Sequence, residues 1–271
     1  SGTLTITGAA TFKTGADGSN IVLDGSSNAY SAAVTMIADA GGEDFGNITF
    51  VDSAAIDFAT SASSNGDLYI NSSTDGTVGG NLSVTATTGN ITDTVALAVT
   101  GTTTLVTSAD NGTIVLDVTT NAFTGALTVT TNDSSGTDAD VTIDGGTTAL
   151  IIAASTIDGD LTLTSGNASG ITDSGTVTVG GNLSATTDAN AGVINLGTMA
   201  VDGTIALTTN STGAATIVND AALTFAASTV GGALTATATT GNITDSGALA
   251  ITGTTTLVTS ADNGTIALDT T

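Results

Sequence analysis

A stretch of 42 residues occurs twice in this chain, and that duplication constrains the fold more than any other feature. Residues 78–119 and 230–271 are identical at 34 of 42 positions, at an offset of 152 residues. A diverged third copy occupies residues 1–30, and a partial fourth copy lies at residues 170–175. Self-similarity of this kind is typical of architectures in which one structural unit is stacked many times.

Each copy contains short segments in which apolar residues alternate with Thr or Ser. Residues 125–130, 159–164 and 203–208 are examples, and each of them begins with Gly. A period of two, with many β-branched residues, predicts β-strands. Clusters of Gly, Asn, Asp and Ser between these segments predict turns. The density of Gly and Thr disfavours helix, so the chain is predicted to be all-β.

Two all-β architectures compete, a string of antiparallel sandwiches and a parallel β-solenoid. A sandwich core usually needs large side chains, whereas this chain has six Phe, two Tyr and no Trp. In a solenoid, equivalent residues are separated by whole numbers of turns. The offsets 152, 93, 80 and 72 between the copies divide into about 8, 5, 4 and 4 turns of roughly 19 residues, near the short end of solenoid repeat lengths.

The sequence therefore predicts one continuous β-helix over residues 1–271, with about 14 coils of roughly 19 residues. Alternate apolar residues are expected to form inward ladders, and Thr and Ser are expected to face outward. Gly and Asn are expected at the corners, where the backbone must turn through left-handed conformations.

Composition excludes several classes of function. The chain has 25 acidic residues and a single basic one, Lys13, for a net charge of -24. Binding to nucleic acid or to an anionic membrane surface requires many Lys and Arg side chains. Without Cys and His, thiolate chemistry and ordinary zinc, copper or haem sites are excluded. No apolar run is long enough to cross a bilayer, so neither nucleic acid nor an inserted membrane is an expected partner.

The motifs at residues 79–93, 95–105 and 180–183, together with the second copies of the first two, resemble those of large bacterial exoproteins of the filamentous-haemagglutinin type. That family includes adhesins secreted by the two-partner route. The resemblance implies a right-handed parallel β-helix, an extracellular or cell-surface location, and a shaft that supports adhesion. It predicts a non-enzymatic structural protein for which host-cell or surface glycans are candidate partners.

Both ends of the sequence match internal coils. Residues 2–8 correspond to residues 95–101, and residues 264–269 correspond to residues 112–117. Solenoid ends that lack a polar cap present unpaired strand edges. We therefore expect the chain to be a section of a longer array, or to stack end to end on copies of itself.

Carboxylates supply the one candidate chemistry in the sequence. Some β-helical enzymes act on polysaccharides with paired acids, so a carbohydrate-active β-helix that uses two Asp residues is the alternative function. Recurrence of Asp at equivalent coil positions, as at Asp24, Asp117 and Asp269, favours a role in capping turns instead.

Calcium is the only cofactor for which the sequence offers ligands. The densest acidic stretch contains Asp133, Asp138, Asp140 and Asp144, and carboxylate oxygens are the ligands that Ca²⁺ prefers. The sequence lacks the loop patterns of known calcium-binding repeats, so a solvated acidic loop is the competing interpretation.

Two further patterns have both a functional and a structural interpretation. Thr-x-Thr segments, such as residues 128–130 and 162–164, suggest an ice-binding face as a third function, although Thr is also a good solvent-facing strand residue. Their irregular spacing is expected to break any single long array. Asn at the corners, as at Asn47, Asn90 and Asn242, is expected to serve turn geometry or a side-chain amide ladder. Glycosylation of these Asn-x-Ser/Thr sites is the competing interpretation.

Overall fold

The computed structural model describes residues 2–16, 18–38, 46–59, 67–70, 77–132 and 138–269. Every pair of neighbouring strands in these ranges is parallel, and no helix occurs in them. The predicted parallel β-solenoid is confirmed. Its right-handed sense stays a prediction, in agreement with the general hand of parallel crossovers.

The strands are short, and most have two to five residues. The first sixteen are β1 (Thr5–Ile6), β2 (Ala10–Lys13), β3 (Ile21–Leu23), β4 (Ala29–Tyr30), β5 (Val34–Ile37), β6 (Ile48–Asp52), β7 (Ile56–Phe58), β8 (Asp67–Ile70), β9 (Thr77–Val78), β10 (Leu82–Ala86), β11 (Ile91–Asp93), β12 (Ala98–Val99), β13 (Thr103–Thr107), β14 (Ile114–Leu116), β15 (Ala122–Phe123) and β16 (Leu127–Thr130). They are followed by β17 (Val141–Asp144), β18 (Leu150–Ile152), β19 (Ser155–Ile157), β20 (Leu161–Ser165), β21 (Ile171–Asp173), β22 (Val177–Val179), β23 (Leu183–Thr187), β24 (Ile194–Val201), β25 (Thr204–Thr209), β26 (Ala215–Asn219), β27 (Leu223–Phe225), β28 (Ser228–Val230), β29 (Leu234–Ala238), β30 (Ile243–Asp245), β31 (Leu249–Ile251), β32 (Thr255–Thr259) and β33 (Ile266–Ala267).

Two long sheets run the length of the shaft. Sheet 1 has the order β3-β6-β10-β13-β16-β18-β21-β24-β26-β29-β32, with β19 and β22 beside this path. Sheet 2 has the order β2-β5-β8-β7-β11-β14-β17-β20-β23-β25-β27-β30-β33, with β28 and β31 beside it. Sheet 3 is formed by β9, β12 and β15, and β1 pairs with β4. The chain alternates between the sheets and so winds into coils.

The shaft has about 11 coils, fewer than the 14 predicted. Along sheet 1 from Leu82 to Thr255, stacked residues are 19 to 25 positions apart, as in the pairs Leu82 with Thr103 and Thr103 with Leu127. The predicted length of 19 residues is too short because many coils contain a third short strand at a corner. At the usual spacing of stacked strands, 11 coils extend over about 50 Å.

The two near-identical copies lie seven coils apart, because β10 and β29 are separated by seven steps in sheet 1. The prediction of eight turns for this offset is wrong. The Ile-Thr-Asp motif lies in sheet 2 at Ile91 and Ile243 but in sheet 1 at Ile171. Likewise Ile21 lies in sheet 1 and its counterpart Ile114 in sheet 2. The offsets 80, 72 and 93 are therefore not whole numbers of coils.

In the middle of the chain, the Ile-Thr-Asp motif changes sheet because the side of the coil that is divided into two short strands changes. Sheet 3 forms the extra short side up to β15. Beyond it, β18 and β19 both stack in sheet 1, and further on β27 and β28 both stack in sheet 2. A motif next to the divided side therefore lies in sheet 1 in some coils and in sheet 2 in others. We call residues 141–209 (β17 to β25) the swapped block, because here the five- and six-residue strands β20, β23 and β25 lie in sheet 2.

Among the residues that the structure describes, one apolar cluster runs along the shaft from Ile21 to Ile243. Buried and half-buried residues alternate along the strands, as the period of two predicts. Near the start of the chain, the rings of Phe12, Tyr30 and Phe50 pack in series with centroid distances of 6.2 and 5.0 Å. Burial of this core supplies the main stabilisation of the fold.

Corner residues adopt the left-handed backbone that was predicted for Gly and Asn. Gly89 and its counterpart Gly241 both have φ of 78°, and Asn111 and Asn263 have φ of 59° and 60°. The same conformations therefore recur in the two near-identical copies. They are turns of the coil and repeat with it.

Hydroxyl groups point into the shaft at the ends of several strands. The Oγ1 atoms of Thr107, Thr187 and Thr209 each donate a hydrogen bond to a glycine carbonyl four or five residues further on, at 2.9, 2.8 and 2.6 Å. These Thr residues are buried. The inward hydroxyl gives the carbonyls of Gly112 and Gly192 a donor within the turn, whereas the carbonyl of Gly213 also accepts the backbone N–H of Gly232 at 2.8 Å.

Substituting Thr187→Val is expected to destabilise the shaft by about 1–3 kcal/mol, because the carbonyl of Gly192 loses its donor. Thr186→Val is the matched control, since Thr186 is half-buried on the outer side of the same strand, and we expect a change within about 0.5 kcal/mol. Urea unfolding followed by circular dichroism measures both. Equal effects of the two substitutions would contradict the proposed capping role.

Candidate functional site

A shallow groove of about 280 Å³ lies on the surface of the shaft between β24 and β26. Buried Met199 and half-buried Val218 form its apolar floor, and hydroxyl and carboxyl groups surround them. The complete lining consists of Thr176, Gly197, Thr198, Met199, Val218, Asp220 and Thr239. The groove thus combines an apolar base with polar sides, which is the general character of a small-ligand site.

A bulge in β24 creates this groove. The register between β24 and β26 shifts between Leu196 and Met199. The carboxylate of Asp173, in the coil below, accepts hydrogen bonds from the backbone N–H of Gly197 at 2.8 Å, from that of Thr198 at 2.6 Å, and from the Thr198 hydroxyl. Asp173 therefore holds the bulge in place.

The groove offers one carboxylate to a ligand. Asp220 is exposed and is the only titratable residue in the lining. An inverting glycosidase needs two carboxyl groups across the scissile bond, and the nearby Asp173 is engaged by the bulge. The lining therefore supplies half of what the carbohydrate-active alternative requires.

The four predicted calcium ligands fall in different places. Asp140 immediately precedes β17 and Asp144 is its last residue, so their backbones are about 13 Å apart along the strand. Asp138 is exposed, and Asp133 lies outside the described residues. Within the described ranges no three acidic side chains gather closely enough to hold a metal ion. Because Asp133 belongs to the proposed set, the calcium site stays a prediction.

Two of these carboxylates, those of Asp140 and Asp144, accept hydrogen bonds from backbone N–H groups. Asp140 Oδ1 accepts the backbone N–H of Asp160, one coil above, at 2.7 Å. Asp144 Oδ1 accepts the N–H of Gly146 at 2.7 Å in a tight turn. Burial raises the pKa of the Asp144 carboxyl above its usual range, and the nearby Asp188 carboxylate adds to the rise. Asp144 therefore caps a turn, which is the predicted structural alternative to catalysis, whereas Asp140 joins its coil to the next one.

The corner Asn side chains accept hydrogen bonds from the backbone of the next coil, which differs from the predicted ladder of side-chain amides. Asn47 Oδ1 accepts the backbone N–H of Asn81 in the next coil at 2.7 Å. Asn90 Oδ1 accepts the N–H of Thr113 at 3.0 Å, and Asn242 makes the corresponding bond in the second copy at 2.9 Å. Corner Asn side chains thus join one coil to the next on the outside of the shaft.

Outward Thr residues form columns despite their irregular spacing in sequence. The turns absorb the differences in length, so the strands still stack in register. One column of sheet 1 contains Thr49, Ser83, Thr104 and Thr128, and a later one contains Thr216, Thr235 and Thr256. In the swapped block the hydroxyl column Thr164, Thr186 and Thr208 lies in sheet 2. The arrays therefore span three or four coils each, and they lie on two sides of the shaft.

A buried carboxylate inside the shaft was not predicted from the sequence. Asp93 Oδ2 accepts a hydrogen bond from Asn121 Nδ2 at 2.6 Å, and Asp93 Oδ1 accepts the backbone N–H of Asp117 at 3.1 Å. Burial raises the pKa of Asp93, although the bond from Asn121 acts in the opposite direction. This pair links two successive coils from within.

A second buried acid lies beside a buried tyrosine. Asp52 is 3% exposed, and its Oδ1 accepts the backbone N–H of Tyr30 at 3.3 Å. Burial raises the pKa of Asp52. Burial also raises the pKa of Tyr30 to about 12, and the negative charge of Asp52 adds to that rise. Tyr30 and Asp52 are therefore structural groups of the core.

The architecture is that of a parallel β-solenoid repeat protein, and the described residues contain no helix of the length and apolar character that a membrane span requires. Residues 1–37, 45–130 and 212–271 match a family described as repeats of unknown function (DUF5649). These stretches cover more than half of the chain, which therefore belongs to that family. The match leaves out residues 131–211, which include the whole swapped block. No curated protein and no solved structure matches the chain.

Proposed function

We propose that the protein is a non-enzymatic structural shaft of a bacterial adhesin or surface filament, located outside the cell, where it supports attachment or the architecture of the cell surface. The observation that carries the proposal is the shared apolar core that the described residues form through about 11 parallel coils. Such a core makes a stiff rod, because each coil is joined to its neighbours along its whole length.

Surface chemistry supports the same function. The net charge of -24 favours solubility and keeps neighbouring shafts apart sideways. The resemblance to haemagglutinin-type exoproteins connects a shaft of this kind with attachment. Corner Asn residues and inward hydroxyls account for many of the polar side chains as structural groups.

The proposal is tested with antibodies raised against the chain. We expect them to label intact source cells, and we expect protease treatment of those cells to remove the signal while a cytoplasmic marker persists. Deletion of the coding segment in frame should reduce attachment or alter surface structure. Signal confined to the cytoplasm would contradict the proposal.

The non-enzymatic part of the proposal has a separate test at the groove. Incubation of the purified chain with neutral and acidic polysaccharides should release no new reducing or unsaturated ends. Cleavage that disappears in Asp220→Asn but persists in Asp262→Asn, a substitution at an exposed turn, would establish the carbohydrate-active alternative instead.

Ice binding, the third function suggested by the sequence, is favoured by the stacked hydroxyl columns on sheet 1. Neighbouring rows are about 4.8 Å apart, and i, i+2 residues on one strand are about 6.7 Å apart, so the columns form a regular grid. Replacing Thr128 and Thr130 by Lys tests this function, because both side chains face outward from β16. Inhibition of ice recrystallisation by the chain that these substitutions abolish would support it, and absence of inhibition would exclude it.

A further inference from the structure

The last coil that the structure describes partly exposes residues whose sequence counterparts are fully buried. Leu249, Ile251 and Leu257 in β31 and β32 are only half-buried. Their counterparts in the other near-identical copy, Leu97, Val99 and Leu105, are 1%, 1% and 0% exposed. Of the strands in the described ranges, none pairs with the outer edge of β31, β32 or β33. The same edge is therefore paired with a further segment in the internal copy, at β12 and β13, and unpaired in the second copy, at β31 and β32.

In the internal copy, β12 and β13 are covered by a segment that begins at Asn121. Asn121 Oδ1 accepts the backbone N–H of Leu97 at 2.7 Å, and Phe123 pairs with Val99 and is buried. The segment continues into β16, where Leu127 pairs with Thr103. One continuous stretch therefore covers both β12 and β13.

The diverged copy at the start of the chain has the same cover in the same register. Asn28 Oδ1 accepts the N–H of Leu4 at 3.0 Å, and Tyr30 pairs with Ile6. Further along, Val34 pairs with Ala10. Residues 28–36 and 121–129 share the pattern Asn-Ala-aromatic-Ser/Thr-Gly/Ala-Ala-apolar-Thr-apolar. The cover is therefore a specific element with its own sequence signature.

We propose that the edge formed by β31 and β32 binds an extended segment with this signature by parallel strand addition. In the register set by the other two copies, the Asn carboxamide accepts the N–H of Leu249, the aromatic ring lies beside Ile251, and the following apolar residue pairs with Thr255. Main-chain hydrogen bonds supply affinity in this mode of recognition, and side-chain pockets supply specificity. The occupant is a further repeat of the same chemistry, and this holds wherever in the cell the shaft is located.

The test uses the complete chain and a synthetic peptide with the sequence of residues 118–131, labelled with a fluorophore. We expect saturable binding of one peptide per chain, detected by fluorescence anisotropy. Substitution of Ala at the peptide position that corresponds to Asn121 should weaken binding at least about tenfold, because it removes a buried hydrogen bond of roughly 1.4 kcal/mol. A peptide of the same composition in scrambled order should not bind.

Hydrogen exchange locates the site and has an internal control. Bound peptide should protect the amides of residues 249–259 and leave those of residues 97–107 unchanged, although the two segments are nearly identical in sequence. Protection elsewhere, no binding at all, or binding that tolerates the Ala substitution would overturn the proposal. Each of these results leaves the proposed role as a shaft intact, so the two proposals fail independently.

Discussion

Replacing Gly170 by Ala is expected to destabilise the shaft by on the order of 3–5 kcal/mol, the largest effect of any single methyl group that we predict. Gly170 has φ of 64°, and a Cβ atom at this position would lie 1.8 Å from the carbonyl oxygen of Val193 in the next coil. The Gly170 carbonyl also accepts the backbone N–H of Leu150 at 2.9 Å. The residue thus joins three successive coils and cannot move without disturbing two of them.

Gly197→Ala is the matched control, because a Cβ atom there would approach nothing closer than Asp173 Oδ1 at 3.9 Å. We expect this substitution to change stability by less than about 1 kcal/mol. Chemical unfolding measures both variants, and hydrogen exchange at β18 and β21 shows whether the loss in Gly170→Ala is local. Equal stability of the two variants would contradict the close approach of the coils at Gly170.

Acidification from pH 7 towards pH 4 is expected to raise the melting temperature, opposite to the behaviour of most proteins. Burial raises the pKa of Asp52 and of Asp93, so the folded state holds these protons more tightly than the unfolded chain, in which the pKa of Asp is about 3.9. Their contribution to stability is fully present below the unfolded pKa and is lost as the pH rises through the folded pKa. Neutralising part of the net charge of -24 acts in the same direction.

The variant Asp93→Asn distinguishes the effect of the buried Asp93 carboxyl on the pH dependence from the effect of the overall negative charge. An amide at this position does not titrate, so we expect a flatter pH dependence of the melting temperature. Its single oxygen can keep the hydrogen bond from Asn121 but not also the one from the backbone N–H of Asp117, so part of the stability gained by removing the buried charge is lost. Asp262→Asn removes the same charge from an exposed turn and should leave most of the pH dependence in place. A melting temperature that falls steadily from pH 7 to pH 4 in the original chain would contradict the raised pKa values.

The strands and the core were predictable because they depend on local alternation. Leu82 and Val84 face inward and Ser83 faces outward, as the period of two requires. The same rule places Asp93 on the inner side of its strand with Ile91, so the buried carboxylate could have been found from the sequence. The structural interpretation of Asp rested on its recurrence in turns, as at Asp24, Asp117 and Asp269, and the period of two was not applied to Asp93.

The length of the coils and the groove were not predictable. Coil length depends on corner strands such as β12 and β22, whose residues resemble those of ordinary strands. The bulge at Gly197 and Thr198 depends on a carboxylate 24 residues earlier in the chain, Asp173, and no local pattern shows that contact. The side of the coil that is divided into two short strands also changes along the shaft. Dividing sequence offsets by one constant coil length cannot detect such a change.

The position of the two near-identical copies has a consequence for how the length of the shaft can change. Because the strands of both copies in sheets 1 and 2 occupy equivalent places, β10 with β29, β11 with β30 and β13 with β32, removal of residues 78–229 joins two coils whose main faces already match. The strand Leu234–Ala238 would then stack on Ile48–Asp52, where Leu82–Ala86 stacks in the complete chain. Recombination between the two copies in the gene would therefore shorten the rod by seven coils, or lengthen it by seven, without creating a coil of a new kind.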